Sequence, residues 1–295
     1  MYIGRFAPSP SGPLHFGSLV AALGSYFQAK AQSGRWLVRI EDIDPPREIA
    51  GASSLILKTL EAYQLVWDGD VLYQSSRLTA YQQQVDQWLS SDDAYLCECT
   101  RRQIKETHGF YQGTCRHKGL MASGNQAVRL KVTHPISAFD DQRYGSLTIP
   151  AGLVHEDFII KRRDGLFAYN LAVVLDDIYQ GVTEVVRGAD LIEPTGRQIS
   201  LYKTLGATPV SYLHLPLAID DSGNKLSKQN HAAGIDLTNP VPTLMNAMRF
   251  LGFSLDDHMA GSTPEELLKW GVENWHLQQL SDALKIKPPF SNDAL

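Results

Sequence analysis

No stretch of this 295-residue chain approaches the length of an apolar bilayer span, and its first residues, Met1-Tyr2-Ile3-Gly4-Arg5-Phe6, lack the basic start and apolar run of a secretory signal. A cytoplasmic location is expected. Basic residues are not in excess: 27 Lys and Arg stand against 32 Asp and Glu, a formal net charge of −5 that excludes a general affinity for polyanions. Nucleic-acid contact would have to come from local clusters such as Arg101-Arg102, Arg116-His117-Lys118 and Lys161-Arg162-Arg163, a pattern that in most chains is solvated surface. Cysteine is scarce too. Three thiols do not make a disulfide framework, and Cys97 and Cys99 are one residue apart, which fits a metal site in a reducing compartment. There is no internal repeat and no low-complexity segment. What is present is ample apolar material: 43% hydrophobic residues suffice for the core of one large domain or two modest ones.

The chain opens with an α/β pattern. Tyr2 to Phe6 reads as a short buried strand, Ala7 to Pro13 as a Pro/Ser/Gly turn, Phe16 to Ser33 as an Ala/Leu-rich helix ending before Gly34, and Trp36 to Ile40 as a second strand. Such a unit binds its ligand at the carboxyl ends of the strands and at the helix N-terminus, which directs attention to His15 and Glu41. Helical patterns follow at Ala50 to Tyr63 and Leu78 to Leu89, and the texture changes at Tyr95 to a Cys-, His- and charge-rich stretch that reads as an insertion. Phe167 to Leu175 and Val182 to Val186, both apolar and β-branched, read as strands, and Pro209 to Leu217 leads onward. Beyond Asp236 the pattern is helical, including Val241 to Phe250 and Pro264 to Trp275.

Two short stretches far apart in the sequence carry the chemistry: Pro13-Leu14-His15-Phe16-Gly17-Ser18 and Lys225-Leu226-Ser227-Lys228-Gln229. Taken singly, His15 reads as a structural histidine at a helix start and Lys225 to Lys228 as a solvated turn. Together, in this order and after a strand, they resemble the HIGH and KMSKS signatures of class I aminoacyl-tRNA synthetases, which implies an enzyme that adenylates an amino acid. That reaction carries negative charge on the α-phosphate and the departing pyrophosphate, so it calls for placed cations and donors and for no nucleophilic side chain. His15 can donate to a phosphate oxygen, Gly17 admits the nucleotide close to the backbone, and the first helical turn, with Ser18, offers free N–H groups and its dipole. Lys228, and Lys225 beside it, would neutralise the triphosphate from a mobile loop marked by Asp221-Ser222-Gly223-Asn224. Magnesium is expected with ATP, held by substrate oxygens.

A closer resemblance rests on further stretches. Arg5-Phe6-Ala7-Pro8-Ser9-Pro10-Ser11-Gly12, Arg39-Ile40-Glu41-Asp42-Ile43-Asp44, Ala168-Tyr169-Asn170 through Asp176-Asp177 and Arg187-Gly188-Ala189-Asp190-Leu191 are similar to motifs of glutamyl-tRNA synthetases, over roughly the first 240 residues. The resemblance implies a glutamate pocket of Arg5, Phe6, Ala7, Pro8, Ser9, Glu41, Tyr169 and Arg187. The chemistry agrees, since a guanidinium such as Arg5 or Arg187 suits the anionic side chain and a carboxylate such as Glu41 suits the α-ammonium. Two positions depart from the class pattern, Ser18 where a second histidine is general and Gln229 at the end of the second signature; glutamate-type enzymes commonly lack that histidine, and Gln229 leaves Lys228 in place. Too few residues follow Asp236 for an anticodon-binding region. A core of this kind with Cys97-Glu98-Cys99, Tyr111 and Cys115 resembles the truncated paralogues, the glutamyl-queuosine tRNA(Asp) synthetases, which pass activated L-glutamate to queuosine in the anticodon of tRNA(Asp). Conventional 3′-end glutamylation by a minimal synthetase and a non-catalytic tRNA-binding module are the alternatives.

Cys97 and Cys99 are spaced as two thiolate ligands, and Cys115, beyond Gly109 and Gly113, can close a tetrahedral zinc site. The fourth ligand is open between His117, the commoner chemistry, and Tyr111, separated from Cys115 by three residues, to which the family pattern points. One zinc would staple an insertion too poor in apolar residues to hold itself; three free buried cysteines without metal are the alternative. The expected architecture is an α/β class I synthetase core with a Rossmann-type parallel sheet. It divides into residues 1–94, an inserted acceptor and zinc subdomain over 95–166, the second catalytic half over 167–235, and a helical segment over 236–295.

Overall fold

The computed structural model describes residues 1–106, 109–220, 222–226 and 233–288. Strand β1 (Ile3–Phe6) runs into a turn, helix α1 (Phe16–Ala31) and strand β2 (Arg35–Ile40), which pairs with β1 in parallel from Ile3↔Arg35 to Phe6↔Val38. After α2 (Ala52–Ala62), β3 (Leu72–Tyr73) joins the far side of β2, also parallel, and α3 (Leu78–Ser90) follows. Strands β4 (Ala94–Cys97) and β5 (Ala127–Leu130) flank α4 (Arg101–Glu106). The hairpin β6 (Ala138–Asp141) and β7 (Gly145–Thr148), the short α5 (Ala151–Val154) and β8 (Ile159–Lys161) complete this region. The chain then forms α6 (Tyr169–Gln180), β9 (Glu184–Gly188), α7 (Ile192–Thr204), β10 (Ser211–Leu215), β11 (Leu217–Ala218), α8 (Pro240–Phe250), α9 (Pro264–Glu273) and β12 (Lys285–Ile286).

β4, β5 and β8 form a small antiparallel sheet of their own, whereas β6 pairs in parallel with β10, so the hairpin extends the sheet β7-β6-β10-β9. β1 meets β9 edge to edge: Thr183 N donates to Ile3 O at 2.9 Å and Ile3 N donates to Thr183 Oγ1 at 3.0 Å. Reading across both sheets, β1 leads away on one side through β2 and β9 on the other through β10. The carboxyl ends of β1 and β9 therefore diverge at the point where a doubly wound sheet opens its ligand crevice.

Helix α1 is buried around most of its surface, between the sheet and the helices α8 and α9. Phe16 meets Phe250 edge to face at 5.7 Å, and Phe27 meets Phe253 at 5.2 Å. A side chain at Gly24 would stand 2.4 Å from a methyl of Leu215, so glycine there lets helix and strand approach. Overpacking of this kind costs about 1–3 kcal/mol. Gly24→Ala is expected to lower the denaturant midpoint accordingly, and an unchanged midpoint would show that β10 can move away at no cost.

One expected strand is a helix. The run Phe167 to Leu175 contains the start of α6, whose residues 171–174 are all buried and which ends at Gly181 in the left-handed conformation (φ 68°). α6 is covered by α3, α7 and the small antiparallel sheet, so residues 171–175 form an uninterrupted apolar run, and a short run of that kind looks like a buried strand. The strand β12, paired in parallel with β11, lies in the stretch read as helical. Among the described residues no helix is long and apolar enough to cross a membrane.

Candidate active site and metal centre

A cleft of about 700 Å³ opens at the carboxyl ends of β1, β9 and β10. Every described residue expected from sequence to touch ATP or glutamate lines it: His15, Gly17, Ser18 and Lys225, together with Arg5 to Ser9, Glu41, Tyr169 and Arg187. Lys228, with Ser227 and Gln229 of the second signature and Asp221 of the preceding turn, lies outside the described residues.

His15 caps α1, its Nδ1 accepting from Ser18 N at 3.3 Å, which assigns the ring proton to Nε2. The structural role and a place in the cleft thus belong to the same residue. The flanks of the second signature fold onto the first. Leu226 O would be 3.2 Å from a side chain at Gly17, Ile235 N donates to Leu14 O at 3.0 Å, and His15 bridges to Gly234. The turn before Lys225 is held by Asp220, whose Oδ1 accepts from Ser222 N and Asn224 N at 2.8 Å each, with Gly223 at φ +80°. Lys225 Nζ is paired with Asp190.

The opposite end of the cleft is built from buried charge. Asp177 on α6 takes Arg5 Nε at 3.1 Å and stands 2.8 Å from Arg39 Nη2. Burial works against ionisation of Asp177, but the two guanidiniums hold its carboxyl below the usual carboxylate range. Arg5 spends only its Nε on Asp177; among the described residues no further partner of its guanidinium is found, and the residue faces the cleft. Arg187 differs. Its Nη1 donates to Gln198 Oε1 (2.7 Å) and Tyr169 OH (3.3 Å), its Nη2 to Thr195 Oγ1 (2.7 Å) and Leu191 O (3.2 Å), and its Nε to His214 Nε2 (3.3 Å). All five of its protons are engaged inside the protein. Tyr169 is the first residue of α6, 36% exposed toward the cleft, and because its oxygen accepts from Arg187 its own proton points elsewhere.

Glu41 follows β2, its backbone N donating to Pro8 O at 3.0 Å. Its side chain is only 9% exposed, and the nearest cation, Arg39 Nη2, is 3.8 Å away. Oε1 is buried with no hydrogen-bond partner among the described residues. Burial pushes its carboxyl up to about 7, against the pull of Arg39 and Arg5. A buried carboxylate oxygen without a donor is costly, and an ammonium group would satisfy it.

Arg39 and Asp177 fall within the family-like stretches without a role that sequence alone assigns, and Asp141 and His214 fall outside them. Arg39 and His214 are polar residues in otherwise apolar runs, Trp36-Leu37-Val38-Arg39-Ile40 and Tyr212-Leu213-His214-Leu215, and that placement is a signal, whereas Asp141, in the polar stretch Asp140-Asp141-Gln142-Arg143, carries none.

Away from the cleft, the Sγ atoms of Cys97, Cys99 and Cys115 lie within 4.8 Å of one another, with Cys99 and Cys115 at 3.5 Å. Tyr111, 4% exposed, accepts from Cys115 N at 2.8 Å and packs in one apolar cluster with Cys97 and Cys115. Arg129 stacks on the Tyr111 ring at 3.7 Å and donates from Nε to Cys97 Sγ at 3.3 Å. Burial opposes ionisation of Cys97, yet the Cys99 backbone N–H and Arg129 hold its thiol below its ordinary value. Burial and the adjacent Cys115 push the Cys99 thiol up to about 12. His117, the other sequence candidate, is exposed and outside the thiol cluster. Three converging sulfur donors can hold a metal ion.

The comparison with known proteins agrees with this geometry. The family model of the catalytic domain of class I tRNA synthetases (E and Q) matches residues 3–281. A divided parallel sheet with the cleft at its switch point, lined by the first signature and by Lys225 and Leu226 of the second, defines a ligase of the class I synthetases. Among relatives, the glutamyl-Q tRNA(Asp) synthetase of Vibrio parahaemolyticus is 67% identical over 99% of this chain and 98% of its own length, and that of Escherichia coli K12 is 54% identical over 99% and 94%. The chain belongs to the family of glutamyl-Q tRNA(Asp) synthetases. Among solved structures, a glutamate tRNA ligase of Elizabethkingia meningosepticum in complex with its amino acid is 25% identical, with a TM-score of 0.78 over 99% of this chain and 68% of that one. The glutamate-tRNA synthetase of Elizabethkingia anophelis, 24% identical at the same TM-score, has the same fold.

Proposed function

We propose that the chain activates L-glutamate with ATP and transfers the glutamyl group to queuosine in the anticodon of tRNA(Asp). The observation that carries the first step is the cleft itself, in which His15 and the flanks of the second signature face the Arg5, Glu41 and Tyr169 end. Glu41 Oε1 takes the α-ammonium of glutamate, and Arg5, with the Tyr169 hydroxyl, takes the side-chain carboxylate, while Arg187 supplies fixed positive charge behind Tyr169. The α-carboxylate is left to attack the α-phosphorus of ATP: a new O–P bond forms and the bond to pyrophosphate breaks. His15 and the first turn of α1, with Gly17 and Ser18, receive the phosphates, and Mg2+ travels with ATP. Lys225, and Lys228 by resemblance of sequence, add cationic charge on the triphosphate side. The queuosine acceptor is supported by the name and near-complete overlap of the relatives. Work in the cytoplasm suits a chain with three free thiols.

The thiol cluster fits one structural zinc. Tetrahedral Zn–S bonds of about 2.3 Å put sulfurs about 3.8 Å apart, close to the observed 3.5 Å between Cys99 and Cys115. Cys97, Cys99, Cys115 and Tyr111 would hold it, and the metal would supply cross-linking of the knuckle and no chemistry in the cleft.

Purified protein is expected to catalyse glutamate-dependent ATP–pyrophosphate exchange without tRNA, and absence of exchange with any amino acid would end the proposal in favour of a non-catalytic module. Labelled glutamate is expected on tRNA(Asp) only when the tRNA carries queuosine. Uptake at the terminal ribose would instead assign 3′-end charging.

A further inference from the structure

Behind Arg187 lies a polar chain that touches neither nucleotide nor amino-acid space. Asp141, at the end of β6, accepts from the His214 backbone N at 2.9 Å and contacts His214 Nδ1 at 2.8 Å through Oδ2; its Oδ1 accepts from Arg143 N at 2.9 Å and Tyr144 N at 3.0 Å. A carboxylate so saturated can only accept, which assigns the His214 proton to Nδ1 and leaves Nε2 as a bare acceptor. Nε2 receives Arg187 Nε at 3.3 Å. Thr195 Oγ1 lies 3.4 Å from the same nitrogen, but its proton goes to Leu191 O at 2.8 Å, so the guanidinium is the donor that Nε2 meets. Both His214 and Asp141 are fully buried. Burial, and the nearby Arg187 charge, hold the imidazole below its ordinary value, so it stays neutral.

A buried, oriented imidazole whose one free lone pair is aimed at a cation costs stability that an apolar side chain in the same place would not. We propose that Asp141 and His214 are positioning residues: they fix the histidine tautomer, and through it the plane of the Arg187 guanidinium on which the Tyr169 hydroxyl rests, and so set the affinity for glutamate. Neither touches substrate. The inference rests on the glutamate pocket proposed above, and it assigns to the hairpin of residues 138–148 a role in amino-acid recognition.

The test is the glutamate-dependent exchange reaction, with the KM for glutamate and for ATP measured separately on the full chain. His214→Leu removes both contacts and is expected to raise the KM for glutamate about tenfold or more, the factor lost with a hydrogen bond to a charged group, with the KM for ATP within about twofold of wild type. His214→Gln, whose amide oxygen reaches the place of Nε2, is expected to recover most of the loss. Asp141→Asn, which lets the ring proton move to Nε2 and face Arg187, is expected to resemble His214→Leu more than His214→Gln. Equal rises in both KM values, or a glutamine variant no better than leucine, would reduce the pair to a structural role and overturn the proposal. Arg187→Gln separates the two levels. If it raises the KM for glutamate while the His214 and Asp141 variants do not, only the positioning role fails; if it leaves that KM unchanged, the pocket assignment fails and the positioning role with it.

Discussion

Glu41→Gln is expected to lower kcat/KM for glutamate activation by about 30- to 5,000-fold, corresponding to the roughly 2–5 kcal/mol lost when one member of a buried charged pair is removed. The reason is that Glu41 Oε1 is buried and has no hydrogen-bond partner among the described residues, and a neutral amide cannot hold an ammonium as the carboxylate does. The pH dependence carries a sign. In the proposed pocket Glu41 must be ionised to hold the α-ammonium, and burial pushes its carboxyl up to about 7. The KM for glutamate is therefore expected to rise as the pH falls below about 7, approaching tenfold per pH unit, and to lose this dependence in the glutamine variant. Stability runs the other way. The folded value lies above the ordinary carboxyl value of 4.5, so the folded state holds the proton more tightly, and stability declines as pH rises from about 4.5 to 7. Above that window the charged group costs about 3 kcal/mol. Glu41→Gln is thus expected to melt no lower than wild type at pH 8; a variant both inactive and unfolded would show that Glu41 serves the fold and not the ligand.

Cys115→Ser is expected to release the metal and unravel the knuckle. Among the described residues the apolar cluster there consists of Tyr95, Cys97, Tyr111 and Cys115, with Cys99, Ile104 and Leu120 packed against it. So small a core cannot hold itself, whereas a structural zinc is worth on the order of 10 kcal/mol in comparably small domains. Wild-type protein is expected to carry about one zinc per chain by mass spectrometry of metals. Cys115→Ser, or wild type treated with a strong chelator, is expected to carry none and to be cut rapidly by trypsin at the exposed Arg101 and Arg102. Tyr111→Phe keeps the ring under Arg129 and deletes only the phenol oxygen; if it retains zinc as tightly as wild type, Tyr111 is not the fourth ligand. His117→Ala, on an exposed side chain outside the cluster, is expected to change nothing. A metal-free wild type that resists trypsin would remove the proposed role altogether.

Much of the site was legible because its residues sit in local patterns. His15 and Gly17 fall at a helix start after a short strand, Glu41 falls just beyond the second strand, and the three cysteines lie within a short stretch. What escaped had no local pattern. Tyr169 lies in a run that reads as a strand and stands instead at the first turn of a helix, because the continuous apolar stretch 171–175 cannot by itself tell a buried strand from a buried helix. Arg187 read as a ligand for a carboxylate, and nothing nearby in sequence reveals that its protons go to Tyr169, Leu191, Thr195, Gln198 and His214. Lys225 read as a phosphate ligand, and its present partner is Asp190.

From local sequence alone come the order of strand, turn and helix at the start, the residue types that can meet a nucleotide and an anionic amino acid, and three thiols that can hold a metal ion. These depend on neighbours a few positions apart, where backbone geometry links sequence spacing to direction in space. Only the tertiary structure decided which charge meets which. Arg5, Arg39, Glu41 and Asp177 come from three elements distant in the chain, and the hairpin carrying Asp141 reaches His214 only because β6 pairs with β10. The strength of a charge in a low-dielectric interior depends on distance and burial, and both are set when the sheets close.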